Sequence, residues 1–212
     1  MMTFNKEKIL ILAPHTDDGE LGCGGTIARF IEEGSEVHYA AFSSCGASVP
    51  EGFSEDVLIK EVQAATKLLG IASDNLHIFD FPVRRFAHYR QEILEELVHF
   101  QKDMNPDLVF MPSINDLHQD HHIVAMEGTR AFKQTTILAY EMPWNNISFL
   151  TQAFIEFDDL ALQKKIEALS QYQSQMGRAY ANAEFIRSLA TIRGVSAGTK
   201  YAETFEVVRF IL

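Results

Sequence analysis

Short aliphatic runs alternate with longer amphipathic stretches along this chain, and that alternation constrains the fold more than any other feature. Residues 8–14 read Lys-Ile-Leu-Ile-Leu-Ala-Pro, an apolar run closed by proline, as in a strand buried on both faces. A polar turn over 15–20 and a glycine-rich stretch over 21–25 lead into 26–34. There Ile27, Phe30 and Ile31 have helical spacing and Gly34 fits a C-terminal cap. The pattern then repeats. Strands are predicted at 37–42, 75–81, 107–111 and 137–141, with helices at 55–69, 90–104 and 121–132 between them. Beyond these, 154–157 reads as an edge strand, 160–175 and 183–192 as helices, and 205–212 as a last strand. Strand, helix, strand in this order builds parallel sheets. The expected fold is therefore α/β: a three-layer, Rossmann-like, mostly parallel twisted sheet with helices on both faces.

The chain has 212 residues, enough for one sizeable core, and shows no internal repeat or linker, so one domain over 1–212 is expected. No run reaches membrane-spanning length, and the first eight residues lack the apolar core of a signal peptide. Two cysteines, Cys23 and Cys45, do not make a disulfide framework and read as buried filler, so a reduced, cytoplasmic setting is expected. Eighteen basic against 29 acidic side chains give a net charge of -11, which repels nucleic acid and anionic membranes and suits a protein that collects a cation.

In open parallel sheets ligands bind outside the carboxyl ends of the strands. Two loops at that edge concentrate chemistry. After the first strand comes Pro14-His15-Thr16-Asp17-Asp18. After the fourth comes Pro112-Ser113-Ile114-Asn115-Asp116-Leu117-His118-Gln119-Asp120-His121-His122. Together they hold four of the eight histidines and four aspartates. Two imidazoles and a carboxylate suit a borderline-soft divalent ion, zinc being the usual occupant, one per chain, with another divalent metal as the alternative. More acidic groups are present than three ligands require. A spare carboxylate can take a proton from water, a spare histidine can stabilise an oxyanion or protonate a leaving group, and a spare aspartate can orient a histidine.

His15-Thr16-Asp17-Asp18-Gly19-Glu20-Leu21-Gly22-Cys23-Gly24-Gly25-Thr26, with His118-Gln119-Asp120-His121 further on, resembles the LmbE/PIG-L-like zinc-dependent N-deacetylases. That family removes acetyl groups from N-acetylglucosamine-containing molecules. The resemblance implies metal ligation by His15, Asp18 and His121, and a general base at Asp17. It further implies a second histidine at His118 that stabilises or protonates the transition state, and an aspartate at Asp120 that orients it. No family role falls on His122. Thr16 stands where the family usually has proline, and Lys60 is the nearest cation where an arginine is common. The implied substrate is a small N-acetylated sugar, and trimers or hexamers are implied as oligomeric options.

Other residues at the ligand edge are candidates for substrate contact. Arg84 and Arg85, with Arg90 behind them, make a cationic patch after the third strand. Asn115 could hydrogen-bond substrate, and Trp144 could stack on a sugar face. Gly22-Cys23-Gly24-Gly25 does not match a phosphate-binding loop, and close helix-to-sheet packing explains it better. Two further readings compete with the deacetylase: a related amide or ester hydrolase, and a non-catalytic sugar- or nucleotide-binding module. A binding module would have no use for Asp17 beside a metal.

Overall fold

The computed structural model describes residues 7–211; the reading of the first residues, and the final Leu212 of the expected last strand, lie outside them. Seven strands form one sheet in the order β3-β2-β1-β4-β5-β7-β6: β1 (Lys8–Ala13), β2 (Glu36–Ala41), β3 (Leu76–Ile78), β4 (Leu108–Pro112), β5 (Thr136–Tyr140), β6 (Ala153–Phe157) and β7 (Tyr201–Arg209). The first five are parallel, while β7 runs antiparallel between β5 and the edge strand β6. Six helices cover the sheet: α1 (Asp18–Glu32), α2 (Val57–Leu69), α3 (Arg90–Asp103), α4 (Gln119–Ala131), α5 (Asp159–Leu169) and α6 (Ala183–Ala197). Among the described residues no helix is long and apolar enough to cross a membrane.

The continuous apolar run of β1 is explained by its two faces. Ile9, Ile11 and Ala13 pack with residues of α1, α2, α5 and α6, while Leu10 and Leu12 pack with residues of α3 and α4. Alternation along a strand divides side chains in this way, and covering both faces demands apolar residues at every position. The α/β expectation therefore describes the observed architecture. The chain runs outward from β1 to β3, then returns to β4 on the other side of β1. The strand order reverses between β1 and β4, and the two histidine-bearing loops leave the sheet at that switch point.

Several boundaries differ from expectation. Helix α1 begins at Asp18 rather than near Thr26, and it absorbs the glycine stretch with a kink at Cys23. A Cβ on Gly19 would stand 2.4 Å from the Tyr39 ring, and one on Gly22 would stand 2.4 Å from the Tyr140 ring. Close approach of helix to sheet thus outweighs the low helix propensity of glycine. Helix α5 ends at Leu169 instead of running to Gln175, and a separate 3₁₀ turn covers Gln173–Gln175. Helix α6 continues past Ile192 to Ala197 and stops at Gly198, whose φ is 73°. Strand β3 is only three residues long. The last strand starts at Tyr201, four residues earlier than expected, because polar Glu203 is buried against Lys165 and the Gly25 and Thr26 amides.

Candidate active site

The loop between β1 and α1 folds back on itself. The His15 N–H donates to Asp18 Oδ2 at 2.8 Å, and the hydroxyls of Tyr39 and Tyr172 lie 3.0 and 2.6 Å from the Thr16 carbonyl oxygen. Both tyrosines also bond the buried Glu20, which therefore supports the loop from behind. The loop between β4 and α4 is held by Asp116, whose Oδ1 accepts the His118 N–H at 2.8 Å. His118 then caps α4, its Nδ1 accepting the Asp120 N–H at 3.2 Å.

Three donor atoms converge where the loops meet. His15 Nδ1 lies 3.0 Å from Asp18 Oδ2, His121 Nε2 lies 3.1 Å from the same oxygen, and the two nitrogens are 3.2 Å apart. Ligands about 2.0–2.2 Å from a tetrahedral zinc stand roughly 3.3–3.5 Å from each other, so this triangle fits such an ion after slight expansion. The remaining nitrogen of each imidazole donates to a carboxylate: His15 Nε2 to Asp120 at 3.2 Å, and His121 Nδ1 to Asp116 at 2.8 Å. In the neutral rings those bonds leave the facing nitrogens as lone pairs for a metal, the carboxylate–histidine pairing typical around metals. His118 is the looser member, its nitrogen falling within 4.8 Å of those of His15 and His121.

Charge supports the same reading. Four carboxylates, Asp17, Asp18, Asp116 and Asp120, surround two inward-facing imidazoles. Burial works against a charged His15 or His121, yet Asp18 and the other facing carboxylates outweigh it. His15 is raised, and His121 is raised to about 10. Asp18 is likewise disfavoured as an anion by burial but is held well below its ordinary value by His121 and His15. Such a cluster demands positive charge. Asp17 behaves differently: burial, then the neighbouring Asp18 charge, raise its carboxyl, while Arg178 and His15 oppose the rise. Burial, followed by the nearby His15 and His121, pushes His118 down to about 4. A neutral His118 whose Nδ1 accepts a backbone N–H carries its proton on Nε2, and so offers a donor.

A cavity of about 330 Å³ opens here, lined by His15, Asp17, Asp18, His118 and His121 together with Trp144, Gln175, Arg178 and Tyr180. The expected substrate contacts fare unevenly. Arg84 and Arg85 are exposed and do not line the cavity. What Arg84 supplies is its main chain, whose N–H bonds Asp120 at 2.5 Å, while its guanidinium reaches the Ala47 carbonyl. Arg90 is committed to Glu127, and Lys60 to Asp56. Asn115 is exposed outside the cavity, its N–H bonding Ser113 Oγ. Trp144 does line the cavity, but Tyr180 lies flat on one face at 4.0 Å and 5°, so that face is taken. His122 is an exposed helix residue, and both cysteines are buried. The Asp120 carboxylate orients His15 rather than His118, which it reaches only through its main-chain N–H.

The matching family model is described as PIG-L, GlcNAc-PI de-N-acetylase, and it covers residues 10–132, more than half of the chain. The chain belongs to the PIG-L family. Both site loops fall inside the stretch matched to that family, whereas Trp144, Arg178 and Tyr180 lie beyond it. Among PIG-L-like relatives, the Escherichia coli protein described as uncharacterized deacetylase YaiS is 30% identical over 80% of this chain and 93% of its own length. Diacetylchitobiose deacetylase of Thermococcus kodakarensis is 24% identical over 97% of this chain and 83% of its own length. The conserved protein TT1542 of Thermus thermophilus superposes with a TM-score of 0.81 at 25% identity, covering 98% of this chain and 96% of that one.

Sequence reasoning left three groups without a site role. Asp116 reads as a turn former, although its place five residues before His121 is the signal for a supporting carboxylate. Arg178 and Tyr180 sit in no motif, and only the fold carries them to the cavity.

Proposed function

We propose that this PIG-L family member is a single-domain, zinc-dependent hydrolase that removes the acetyl group from the nitrogen of an N-acetylglucosamine-type sugar. The observation that carries this reading is the convergence of His15 Nδ1, Asp18 Oδ2 and His121 Nε2 within 3.0–3.2 Å, with Asp17 on the same cavity wall. His15, Asp18 and His121 would hold the cation. A bound divalent cation supplies Lewis acidity, lowering the pKa of water and polarising an amide carbonyl. Asp17, raised by burial and by Asp18, takes the proton of the attacking water. His118, neutral and protonated on Nε2, donates to the carbonyl oxygen as negative charge develops there. With His118 a weak acid carrier, Asp17 returns the proton to the leaving nitrogen. Asp120 and Asp116 keep His15 and His121 in the tautomers the reaction needs. At about 330 Å³ the cavity lies at the small end of ligand sites, roughly 300–1,000 Å³, and suits one sugar ring.

The test is amine release from N-acetylglucosamine and diacetylchitobiose by zinc-loaded protein, with metal content measured in parallel. Asp17→Asn is expected to keep the metal and to lose about 10²–10⁴-fold in kcat. Full turnover by that variant would remove Asp17 as the base. Protein that binds no divalent metal would overturn the whole reading.

A further inference from the structure

Gln175 lines the cavity from the 3₁₀ turn Gln173–Gln175, yet is only 5% exposed. The turn is tied to its surroundings on two sides. Tyr172, just before it, reaches the Thr16 carbonyl oxygen with its hydroxyl at 2.6 Å. Ser174 donates its N–H and its hydroxyl to the buried Glu61 on α2, at 2.8 and 2.6 Å. The main chain of Gln175 is used as well, its N–H donating to the Tyr172 carbonyl oxygen and its carbonyl oxygen accepting the Arg178 N–H.

This clamp also fixes which way the carboxamide faces. Ser174 has a single hydroxyl proton and gives it to Glu61, so Ser174 Oγ is left as an acceptor. Gln175 Nε2 donates to that oxygen at 3.0 Å. The flipped amide would set two acceptors, Oε1 and Ser174 Oγ, against each other. Oε1 therefore turns away from Ser174, and no protein donor meets it among the described residues. It is not sealed inside the fold either: the partnerless side-chain atoms that are closed off there are Thr26 Oγ1 and Asn146 Nδ2. A buried glutamine thus holds an unpaired acceptor, in a set orientation, at the cavity surface.

Ordering a glutamine costs rotamer entropy, and an amide that served only to meet water would not need it. A pre-set acceptor without a partner is what a binding site holds ready for a donor on its ligand. The acetamido group of a substrate is engaged by Asp17, His118 and the ion position, so the ring hydroxyls are the donors that remain. We propose that Gln175 is a specificity-determining residue whose Oε1 accepts a hydrogen bond from a ring hydroxyl of the substrate, with Ser174 and Glu61 as the residues that position it. The proposal rests on the deacetylase reading for the identity of the ring.

The experiment uses the full-length, zinc-loaded protein with methyl N-acetyl-β-glucosaminide and its 3-deoxy, 4-deoxy and 6-deoxy derivatives. In wild type at least one deoxy sugar is expected to fall by about 5–100-fold in kcat/KM, chiefly through KM, because its loss leaves Oε1 unpaired. Gln175→Met keeps the length of the side chain without its amide. It is expected to shrink that one penalty to about twofold or less while the other two penalties and the zinc content stay as in wild type. Ser174→Ala, which frees the carboxamide to turn, is expected to shrink the same penalty in part. Each penalty is a ratio within one protein, so a uniform loss of activity cancels. Absence of any deoxy penalty in wild type, or identical penalties in wild type and a folded Gln175→Met protein, overturns the proposal. If Gln175→Met does not fold, Ser174→Ala decides, and unchanged penalties there overturn it. If no sugar is turned over, the deacetylase reading fails separately, and calorimetric binding of the same sugars decides for Gln175. A deoxy penalty in binding that wild type shows and Gln175→Met lacks supports the proposal, and any other binding result overturns it.

Discussion

Asp116→Asn is the most informative single change, because it alters one atom and reverses the logic of a proposed ligand. Asp116 Oδ1 accepts the His118 N–H and Oδ2 accepts from His121 Nδ1, both at 2.8 Å. In the asparagine variant the side-chain oxygen is retained by the His118 N–H, so the new NH₂ group faces His121 Nδ1. That nitrogen must then accept, and the ring's proton moves to Nε2, which lies 3.1 Å from Asp18 and is the atom proposed to face the ion. The alternative amide orientation aims two N–H groups at each other at the His118 contact. Loss of such a supporting carboxylate lowers metal affinity about 10–100-fold, or ~1.4–2.7 kcal/mol.

At saturating metal the same amount disappears from the metal-dependent stabilisation of the fold. For a chain of this length each kcal/mol shifts Tm by about 2–4 °C, so the zinc-induced rise in Tm shrinks by ~3–11 °C. The assay is zinc titration by chelator competition, with thermal unfolding followed with and without metal so that any change in the metal-free protein is subtracted. Asp116→Ala leaves Nδ1 free to bond water and is expected to lose less affinity than Asn. Equal zinc affinity and equal zinc-induced Tm gain in wild type and Asp116→Asn would refute the tautomer argument and remove His121 Nε2 from the ligand set.

Two other changes test what holds the site in place. Burial raises Glu20 from its ordinary value of 4.5 to about 8, so the folded protein keeps a proton that the unfolded chain releases between those values. Stability from this group is complete below pH ~4.5 and is lost as the pH rises through ~8, by about 1.4 kcal/mol per unit of displacement. Glu20→Gln should flatten that part of the stability profile in denaturant titrations, and an unaltered slope would mean that Glu20 is ionised in the fold. Lys165 lies buried, 2.7 Å from Glu203 and 2.8 Å from the Leu21 carbonyl oxygen. Lys165→Met leaves the Glu203 carboxylate buried with only the α1 amides as partners, and should cost about 3–5 kcal/mol by chemical unfolding. A loss under about 1 kcal/mol would show that water reaches the pair.

The parallel core was legible because double-sided burial writes a continuous apolar run, as in Ile9–Ala13, and because the intervening helices keep their period. Strand β7 was legible only in part. Its first residues include Glu203, whose polarity reads as loop until the buried lysine and two helix amides that satisfy it are seen together. The start of α1 was hidden for a related reason. Glycines argue against a helix when propensity is weighed alone, but here the Tyr39 and Tyr140 rings fill the space that side chains at Gly19 and Gly22 would need. In each case a distant partner overrides a local rule, and the partner cannot be read from the segment itself.

The same division separates the two halves of the site. The proposed ligands His15 and Asp18 share one short loop with Asp17, and His121 shares another segment with His118 and Asp120; atoms that would share an ion must stand about 3 Å apart, and short segments achieve this with least freedom. Chemistry of that kind leaves a local spacing in the chain. Arg178 and Tyr180 answer to a weaker constraint: they need only face the cavity, from a segment whose anchors are Glu61 on α2 and Trp144 after β5. Any segment reaching that wall could supply a donor, so no spacing records it. The patch that looked cationic in sequence, Arg84 and Arg85, turns its side chains away and gives the site a main-chain N–H instead. Residues proposed to bring about the reaction are thus constrained by one another, and residues that only line the cavity by the fold that carries them there. The first constraint is visible in a single chain, whereas the second emerges only once the cavity has a shape.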